Sequence, residues 1–257
     1  MRFASIGSGS AGNCTVIEQQ STRLLLDCGF GLKEVVMRLQ KLDLMPEKIS
    51  GILITHEHDD HAKGAFKLAV KYNIPVWLSH GTFKMCERYV PENAQIQLNI
   101  IDSHTSFEIQ DLQITPYPVP HDAREPTQFC FFDGKNKLGV LTDTGSSTPY
   151  IEQVLTQCDA LLLECNHDLN MLENGPYAWA LKKRVGSRIG HLDNASSARL
   201  LASLDNSKLK HIIAAHLSEK NNTPDLAKIS LSAALNCASD WIGIAQQNDG
   251  FDWRSLS

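Results

Sequence analysis

Three histidines and the carboxylate Asp60 fall within the six residues His56-Glu57-His58-Asp59-Asp60-His61, directly after the apolar run Gly51-Ile52-Leu53-Ile54. Such a concentration of nitrogen and oxygen donors suits zinc-like divalent ions. The apolar run has the length and branching of a buried strand, and beyond the cluster Ala65, Phe66, Ala69, Val70 and Tyr72 recur at helical spacing. The donors are therefore expected on a loop leaving the carboxyl end of a strand, where open α/β sheets bind ligands. On an extended loop His56 and His58 share one side, while Asp60 and His61 can diverge toward a second centre. Two ions about 3.5–4 Å apart clamp both oxygens of a displacement and lower the pKa of water from about 16 to about 7. The H-E-x-x-H helix of zincins is excluded, because Asp60 stands where its second histidine would be. The plainer reading is a hydrated surface loop of mixed charge.

One cluster cannot saturate two ions, so further donors should follow later strands. His121 comes after Thr115-Pro116-Tyr117-Pro118-Val119-Pro120, whose alternating prolines hold the chain extended. Asp143 follows the strand 138–141, a good place for a carboxylate bridging two cations, although a turn-forming or capping aspartate is the alternative. His216 ends Ile212-Ile213-Ala214-Ala215 and could equally be a satisfied core histidine.

The remaining pattern reads as short strands over 3–6, 15–18 and 24–26, a helix from Leu32 to about Leu42, and strands 51–54 and 76–78. The scheme then repeats: strands over 128–132 and 137–141, a helix near 148–156, strand 160–163, a helix near 195–204 and strand 211–215. One domain over residues 1–257 with two pseudo-equivalent halves, about 1–125 and 126–257, is the simplest organisation. No low-complexity tract or Pro-, Gly- or Ser-rich linker interrupts it. A formal net charge of −5 is the wrong sign for a surface coated in nucleic acid, so any polyanion must bind locally. There is no run of some 18 apolar residues and no signal-peptide core, which points to the cytoplasm and away from a membrane. Seven cysteines with no C-x-x-C pair are expected to be buried small hydrophobes rather than disulfides or zinc ligands.

The order His-x-His-x-Asp-His, then isolated His, Asp and His at strand ends, resembles the metallo-β-lactamase-fold hydrolases. That resemblance implies an α/β fold, the αββα four-layer sandwich. It also implies His56, His58 and His121 on one metal, Asp60, His61 and His216 on the other, Asp143 bridging, and Asp27 supporting the ligands from behind. Closer likeness lies in Ser5-Ile6-Gly7-Ser8-Gly9-Ser10-Ala11-Gly12-Asn13, Pro120-His121-Asp122-Ala123, Asn174-Gly175-Pro176-Tyr177, Gly190-His191-Leu192-Asp193-Asn194 and His216-Leu217-Ser218-Glu219-Lys220-Asn221-Asn222. These stretches resemble the bacterial YycJ-like branch, which implies exonuclease action on double-stranded DNA from the 5′ end. Where that branch usually carries a small hydroxyl residue this chain has Asp193, whose charge would repel a phosphate. The large inserted domain of RNA-processing relatives has no room here, which disfavours long structured RNA.

Several signals stand apart from the ligands. Gly7-Ser8-Gly9-Ser10-Ala11-Gly12 fits the dinucleotide fingerprint, but a strand follows where a helix is required, so no nucleotide cofactor is expected and a glycine-rich turn at the rim is. Lys182, Lys183, Arg184 and Arg188 form the most basic stretch and lead into His191; with Ser218 and Asn222 they are candidate substrate contacts. His191 is surplus to the metals and lies before a helix start with Asn194 as capping residue, a seat for phosphate from which it could protonate the leaving group. The segment 164–168 could shape the rim, with His167 as readily a surface residue. The leading function is a two-metal phosphodiesterase whose ions are zinc, or manganese or iron, with Asp60 and His191 central to turnover. The alternatives are a thioester or lactam hydrolase of the same fold, and a non-catalytic metal-binding or DNA-scaffolding protein.

Overall fold

Alternation decides the layers. In the computed structural model, which describes residues 1–256, Leu24, Leu25 and Leu26 share one strand and point to opposite faces in turn. Leu25 joins a core shared with helices, whereas Leu24 and Leu26 face a second sheet. The same division separates Val16 from Ile17, Ile52 from Leu53, Leu161 from Leu162 and Ile212 from Ile213. All are buried, because these strands are covered on both faces, and that is why they read as continuous apolar runs.

The chain opens with an antiparallel meander of β1 (Arg2–Gly7), β2 (Cys14–Gln19) and β3 (Thr22–Leu26). After α1 (Leu32–Gln40), β4 (Gly51–Leu53) runs parallel to β3. The short α2 (Asp59–Ala62), α3 (Ala65–Tyr72), β5 (Val76–Ser79), α4 (His80–Cys86) and β6 (Leu98–Ile101) follow. The second sheet takes β7 (Phe107–Ile109), β8 (Leu112–Pro118), β9 (Thr127–Phe132) and β10 (Lys137–Leu141) as antiparallel neighbours. Then α5 (Pro149–Leu155), β11 (Ala160–Glu164), α6 (Leu169–Asn174), α7 (Trp179–Val185), α8 (Asn194–Ser203), β12 (His211–Ala215), α9 (Pro224–Leu235) and β13 (Gly243–Ile244) extend it in parallel. Finally β14 (Phe251–Ser255) returns to pair with β1.

Two seven-stranded sheets result, ordered β14-β1-β2-β3-β4-β5-β6 and β13-β12-β11-β10-β9-β8-β7. The chain changes sheet between residues 101 and 107, earlier than the division near 125 that the repeating scheme suggests, because residues 113–118 of β8 pair with 127–132 of β9. Phe3, Leu24 and Leu53 of the first sheet meet Phe129, Phe131, Leu162 and Ile213 of the second in the central core. Val35, Leu39 and Phe66 cover the outer face of the first sheet, and Ile151, Leu155, Leu200 and Leu231 that of the second. The layers are helix, sheet, sheet, helix: the αββα sandwich. Among the described residues no helix is long and apolar enough to cross a membrane, and six of the seven free cysteines are buried.

Candidate metal centre

Six strands deliver their ends to one place. Asp27 follows β3, the segment 55–61 follows β4, Asp143 follows β10, Glu164 closes β11 and His216 follows β12, while His121 leaves β8 through Val119-Pro120. Backbone bonds lock the ends together: the Asp27 N–H donates to the Leu53 carbonyl at 2.8 Å, Cys28 N–H to His61 at 2.7 Å and Thr127 N–H to Thr55 at 2.9 Å. The polar side chains gathered there are largely withdrawn from water, so each needs a partner.

His56, His58 and His121 form the first group, with ring centroids 4.5, 4.9 and 5.0 Å apart. His56 Nε2 lies 3.0 Å and His121 Nε2 3.3 Å from His58 Nδ1. The far nitrogens are already engaged. Thr55 Oγ1 donates to the Asp27 carboxylate and so accepts from His56 Nδ1 at 2.9 Å, and His121 Nδ1 donates to the Gly190 carbonyl at 2.9 Å. Both rings therefore turn the Nε2 lone pair inward, the arrangement that prepares a histidine for metal. Inward imidazole nitrogens this close repel one another unless a proton or a metal cation lies among them.

Asp60, His61 and His216 form the second group. His61 Nε2 and His216 Nε2 are each 3.5 Å from Asp60 Oδ2. Asp27 stands behind His61, accepting from its Nδ1 at 2.8 Å and from the Thr55 N–H at 2.8 Å, which is the supporting place the family resemblance implies for it. Asp143 lies between the groups, with donor atoms in common reach of His56 and His61. Its Oδ2 comes within 3.1 Å of His61 Nε2 without hydrogen-bond geometry. Asp143 Oδ2 and His216 Nε2 are buried and have no hydrogen-bond partner. Orphaned polar atoms are costly in an apolar interior, and both are donors that divalent ions take. The residues fit a pair of divalent metal ions.

Electrostatics agree with this. Burial, reinforced by His61, pushes His56 down, and burial pushes His121 down despite Asp143, so both stay neutral. Burial opposes ionisation of Asp60 and Asp143, but His61 and His216 outweigh it and hold both carboxyls below the usual range. His216, against its burial, is pushed up to about 10 by Asp143, Asp60 and Glu164. The cluster draws positive charge, which protons supply to the bare protein and a metal would displace.

Glu164 is the residue that sequence reasoning passed over as rim. It is fully buried. Its Oε1 accepts from His191 Nδ1 at 2.7 Å and lies 3.3 Å from His216 Nδ1, and its Oε2 accepts from the Thr144 and Leu192 N–H groups at 3.0 and 3.2 Å. The only signal was a carboxylate closing an apolar run. His191 sits with its ring 5.2 Å from His121 and 5.3 Å from His216, beside both groups. Burial lowers its pKa, but Glu164 and Asp143 overcome that and raise it.

A cavity of about 380 Å³ opens over the cluster, with Ser10, Arg88, Tyr177, Arg184, His191 and Ser218 among its walls. Of the basic run only Arg184 reaches it, donating from Nε to Asp122 at 2.5 Å. Lys182 is tied to the Glu173 carbonyl at 2.7 Å, Lys183 lies over the Trp179 ring and Arg188 is exposed outside the cavity. Arg88, from the turn after α4, was not foreseen; it donates to the Glu57 carbonyl at 3.2 Å. The phosphate seat expected at the start of α8 is occupied, because Asp193 and not Asn194 is the N-cap, accepting from the Ser196 N–H at 2.9 Å. Asn222 is a bracket beneath the site: it exchanges amide bonds with Asn194 at 2.9 Å and donates to the Cys165 carbonyl at 2.7 Å. His167 is buried, not at the surface, since its backbone bridges Asp193. The glycine-rich turn does lie at the rim, with Asn13 accepting from the Gly9 N–H at 2.8 Å and Ser10 in the cavity wall.

Comparison with known proteins accords with this geometry. Residues 22–216 match the family described as the beta-lactamase superfamily domain. The chain is 34% identical to exodeoxyribonuclease YycJ of Bacillus anthracis over 91% of its own length and 89% of the relative's. It is 32% identical to exodeoxyribonuclease WalJ of Streptococcus pneumoniae over 95% and 91%. Among solved structures, the metallo-beta-lactamase fold protein YhfI from Bacillus subtilis superposes with a TM-score of 0.76 over 99% of both chains at 15% identity, a likeness of fold. From the strand-end donors, the sandwich and these relatives together, the chain belongs to the metallo-β-lactamase superfamily, alongside the YycJ and WalJ proteins.

Proposed function

We propose that this protein is a DNA phosphodiesterase, an exonuclease acting from the 5′ end, that works with two divalent ions, zinc by the preference of a histidine-rich donor set. The observation that carries the reading is a seven-donor cluster opening into one cavity flanked by Arg88 and Arg184. His56, His58 and His121 would hold one ion, Asp60, His61 and His216 the other, and Asp143 both. When bound, the pair supplies acidified water and neutralises charge on the oxygens of a phosphodiester. The protein's own residues do the rest. Arg184, already polarised toward Asp122, and Arg88 steer the negatively charged strand into the mouth. Glu164 takes the Nδ1 proton of His191 as a hydrogen bond, so Nε2 is the atom left to face the substrate. As the phosphorus–O3′ bond breaks, a proton from His191 Nε2 goes to the departing oxygen, a role typically worth about 10²–10⁴ in rate.

The test is a substrate panel after elemental analysis of the purified protein. Metal-dependent cleavage of bis(p-nitrophenyl) phosphate and of 5′-labelled duplex DNA is expected, with a glutathione thioester and a lactam at background. Thioester turnover with inert DNA would overturn the proposal.

A further inference from the structure

The stretch Asn174-Gly175-Pro176-Tyr177 joins α6 to α7 and plays no part in holding the cluster. Its conformation is nevertheless over-determined. A Cβ on Gly175 would lie 2.5 Å from Asn221 Oδ1 and 2.5 Å from the Met171 carbonyl, so the corner is pressed onto the loop that carries His216 and has room only for glycine. Pro176 then fixes its own φ, and Ala178 begins α7. Tyr177 is held between these fixed points. Tyr177, with Leu181 and Val185 of α7, supplies the apolar part of the cavity wall. Among the described residues no hydrogen bond or ring contact occupies Tyr177, which leaves its half-buried ring free for a ligand in the cavity. The surroundings select the ligand. Residues 169–191 carry four cations, Lys182, Lys183, Arg184 and Arg188, against the single carboxylate Glu173, in a chain whose net charge is −5. A polyanion is attracted to such a patch.

We propose that Tyr177 and Leu181 form a nucleobase subsite, on which the base of the nucleotide at the scissile phosphate stacks; this rests on the phosphodiesterase reading above. A cavity of about 380 Å³ is at the small end of ligand pockets, a size that suits one nucleotide. Stacking on an aromatic and aliphatic wall engages the ring face of a base rather than its edges, so this recognition is tolerant of sequence.

The experiment uses the metal-loaded full chain and 5′-labelled duplexes whose terminal nucleotide is either normal or abasic. Tyr177→Ala should lower kcat/KM on the normal duplex by about 5- to 150-fold, the range of one lost base–aromatic stack. The wild type should lose a similar factor on the abasic duplex, Tyr177→Ala should lose nothing more there, and Tyr177→Phe should restore turnover. Calorimetry adds an arm independent of cleavage: the wild type should bind thymidine 5′-monophosphate more tightly than deoxyribose 5-phosphate, and Tyr177→Ala should bind them alike. Equal losses of Tyr177→Ala on both duplexes, no loss on either, or equal binding of the two phosphates by the wild type would each overturn the subsite. If the wild type cuts neither duplex, the phosphodiesterase reading fails by itself, and the calorimetric preference alone decides the subsite.

Discussion

Replacing Glu164 by glutamine should weaken the hold on the second ion while leaving the fold intact. The two carboxylate oxygens serve different partners. Oε2 accepts from the backbone N–H groups of Thr144 and Leu192, and Oε1 faces the Nδ1 atoms of His191 and His216. An amide has one acceptor oxygen and one donor nitrogen, so it can satisfy only one of these pairs. Backbone N–H groups cannot reverse their polarity, whereas a neutral imidazole can change tautomer. The glutamine oxygen should therefore settle on Thr144 and Leu192, with its NH₂ toward the two rings. Facing that NH₂, His216 Nδ1 is driven to accept despite Asp143 Oδ1 at 3.1 Å, which puts its proton on Nε2, the atom now buried without a partner near Asp60. A protonated Nε2 cannot ligate.

Loss of a carboxylate behind a metal-binding histidine typically costs 10- to 100-fold in metal affinity, about 1.4 to 2.8 kcal/mol. His191 loses its orienting partner in the same substitution, so kcat should fall further, by about 10²-fold or more. The measurements are a competition titration with a chromophoric chelator, elemental analysis, kcat on bis(p-nitrophenyl) phosphate and melting of the metal-free protein. Metal-free melting near that of the wild type, with weakened uptake of one ion, is expected. A Glu164→Gln variant that holds both ions with wild-type affinity and turns over normally would refute the tautomer argument.

Asp60→Ala should reduce bound metal from about two equivalents toward one and abolish hydrolysis, and unchanged stoichiometry on elemental analysis would sink the two-ion assignment. Away from the centre, burial alone would raise Asp133, but the Asn136 N–H and the Met1 amino group bring its carboxyl from 3.8 down to about 2. A lowered carboxyl stabilises the fold above its unfolded value, and that contribution is lost as pH falls from about 4 through about 2. Acid melting curves of Asp133→Asn should therefore converge on the wild type across that window, and parallel curves would count against the assignment.

Much of the fold was legible because its central strands are apolar on both faces and its ligands lie beside them in sequence. Leu24-Leu25-Leu26, Gly51-Ile52-Leu53-Ile54 and Ile212-Ile213-Ala214-Ala215 each announce a strand and place the next polar residue at the site. What escaped has physical causes. In α6 and α7 only Leu172 and Val185 are buried, so there was no apolar period to read. The return of β14 to β1 joins residues some 250 apart and leaves no local trace. Glu164 gains its meaning only when Thr144, Leu192, His191 and His216 arrive from other segments. Asp193 was judged for the charge it would show a phosphate, yet that charge is spent on the first turn of α8.

The backbone at His216 offers a test that needs no metal. Among the described residues ten non-glycine positions have positive φ, and three of them, Asp27 at 63°, Asp143 at 50° and His216 at 54°, are buried in the centre. Aspartate tolerates the left-handed region through its short side chain; histidine held there and buried indicates a conformation imposed by its surroundings. The ties are visible: the His216 N–H donates to Ser8 Oγ at 2.9 Å, and its carbonyl accepts from the Asn166 amide at 3.1 Å. His216→Ala and His216→Gly both remove the imidazole, so the lost contacts with Asp143 and Glu164 cancel in the comparison. They differ in one Cβ. In ordinary backbone the alanine variant would be the more stable by about 0.4–1 kcal/mol, because glycine loses more chain entropy on folding. In the left-handed region the Cβ costs about 1–2 kcal/mol, and the order reverses. The glycine variant should be the more stable by about 1 kcal/mol, a melting temperature about 2–4 °C higher in a chain of this size, measured without metal. An alanine variant that melts at the same temperature or above would mean that the loop relaxes once the imidazole is gone, and that His216 is not held in a strained conformation by Ser8 and Asn166.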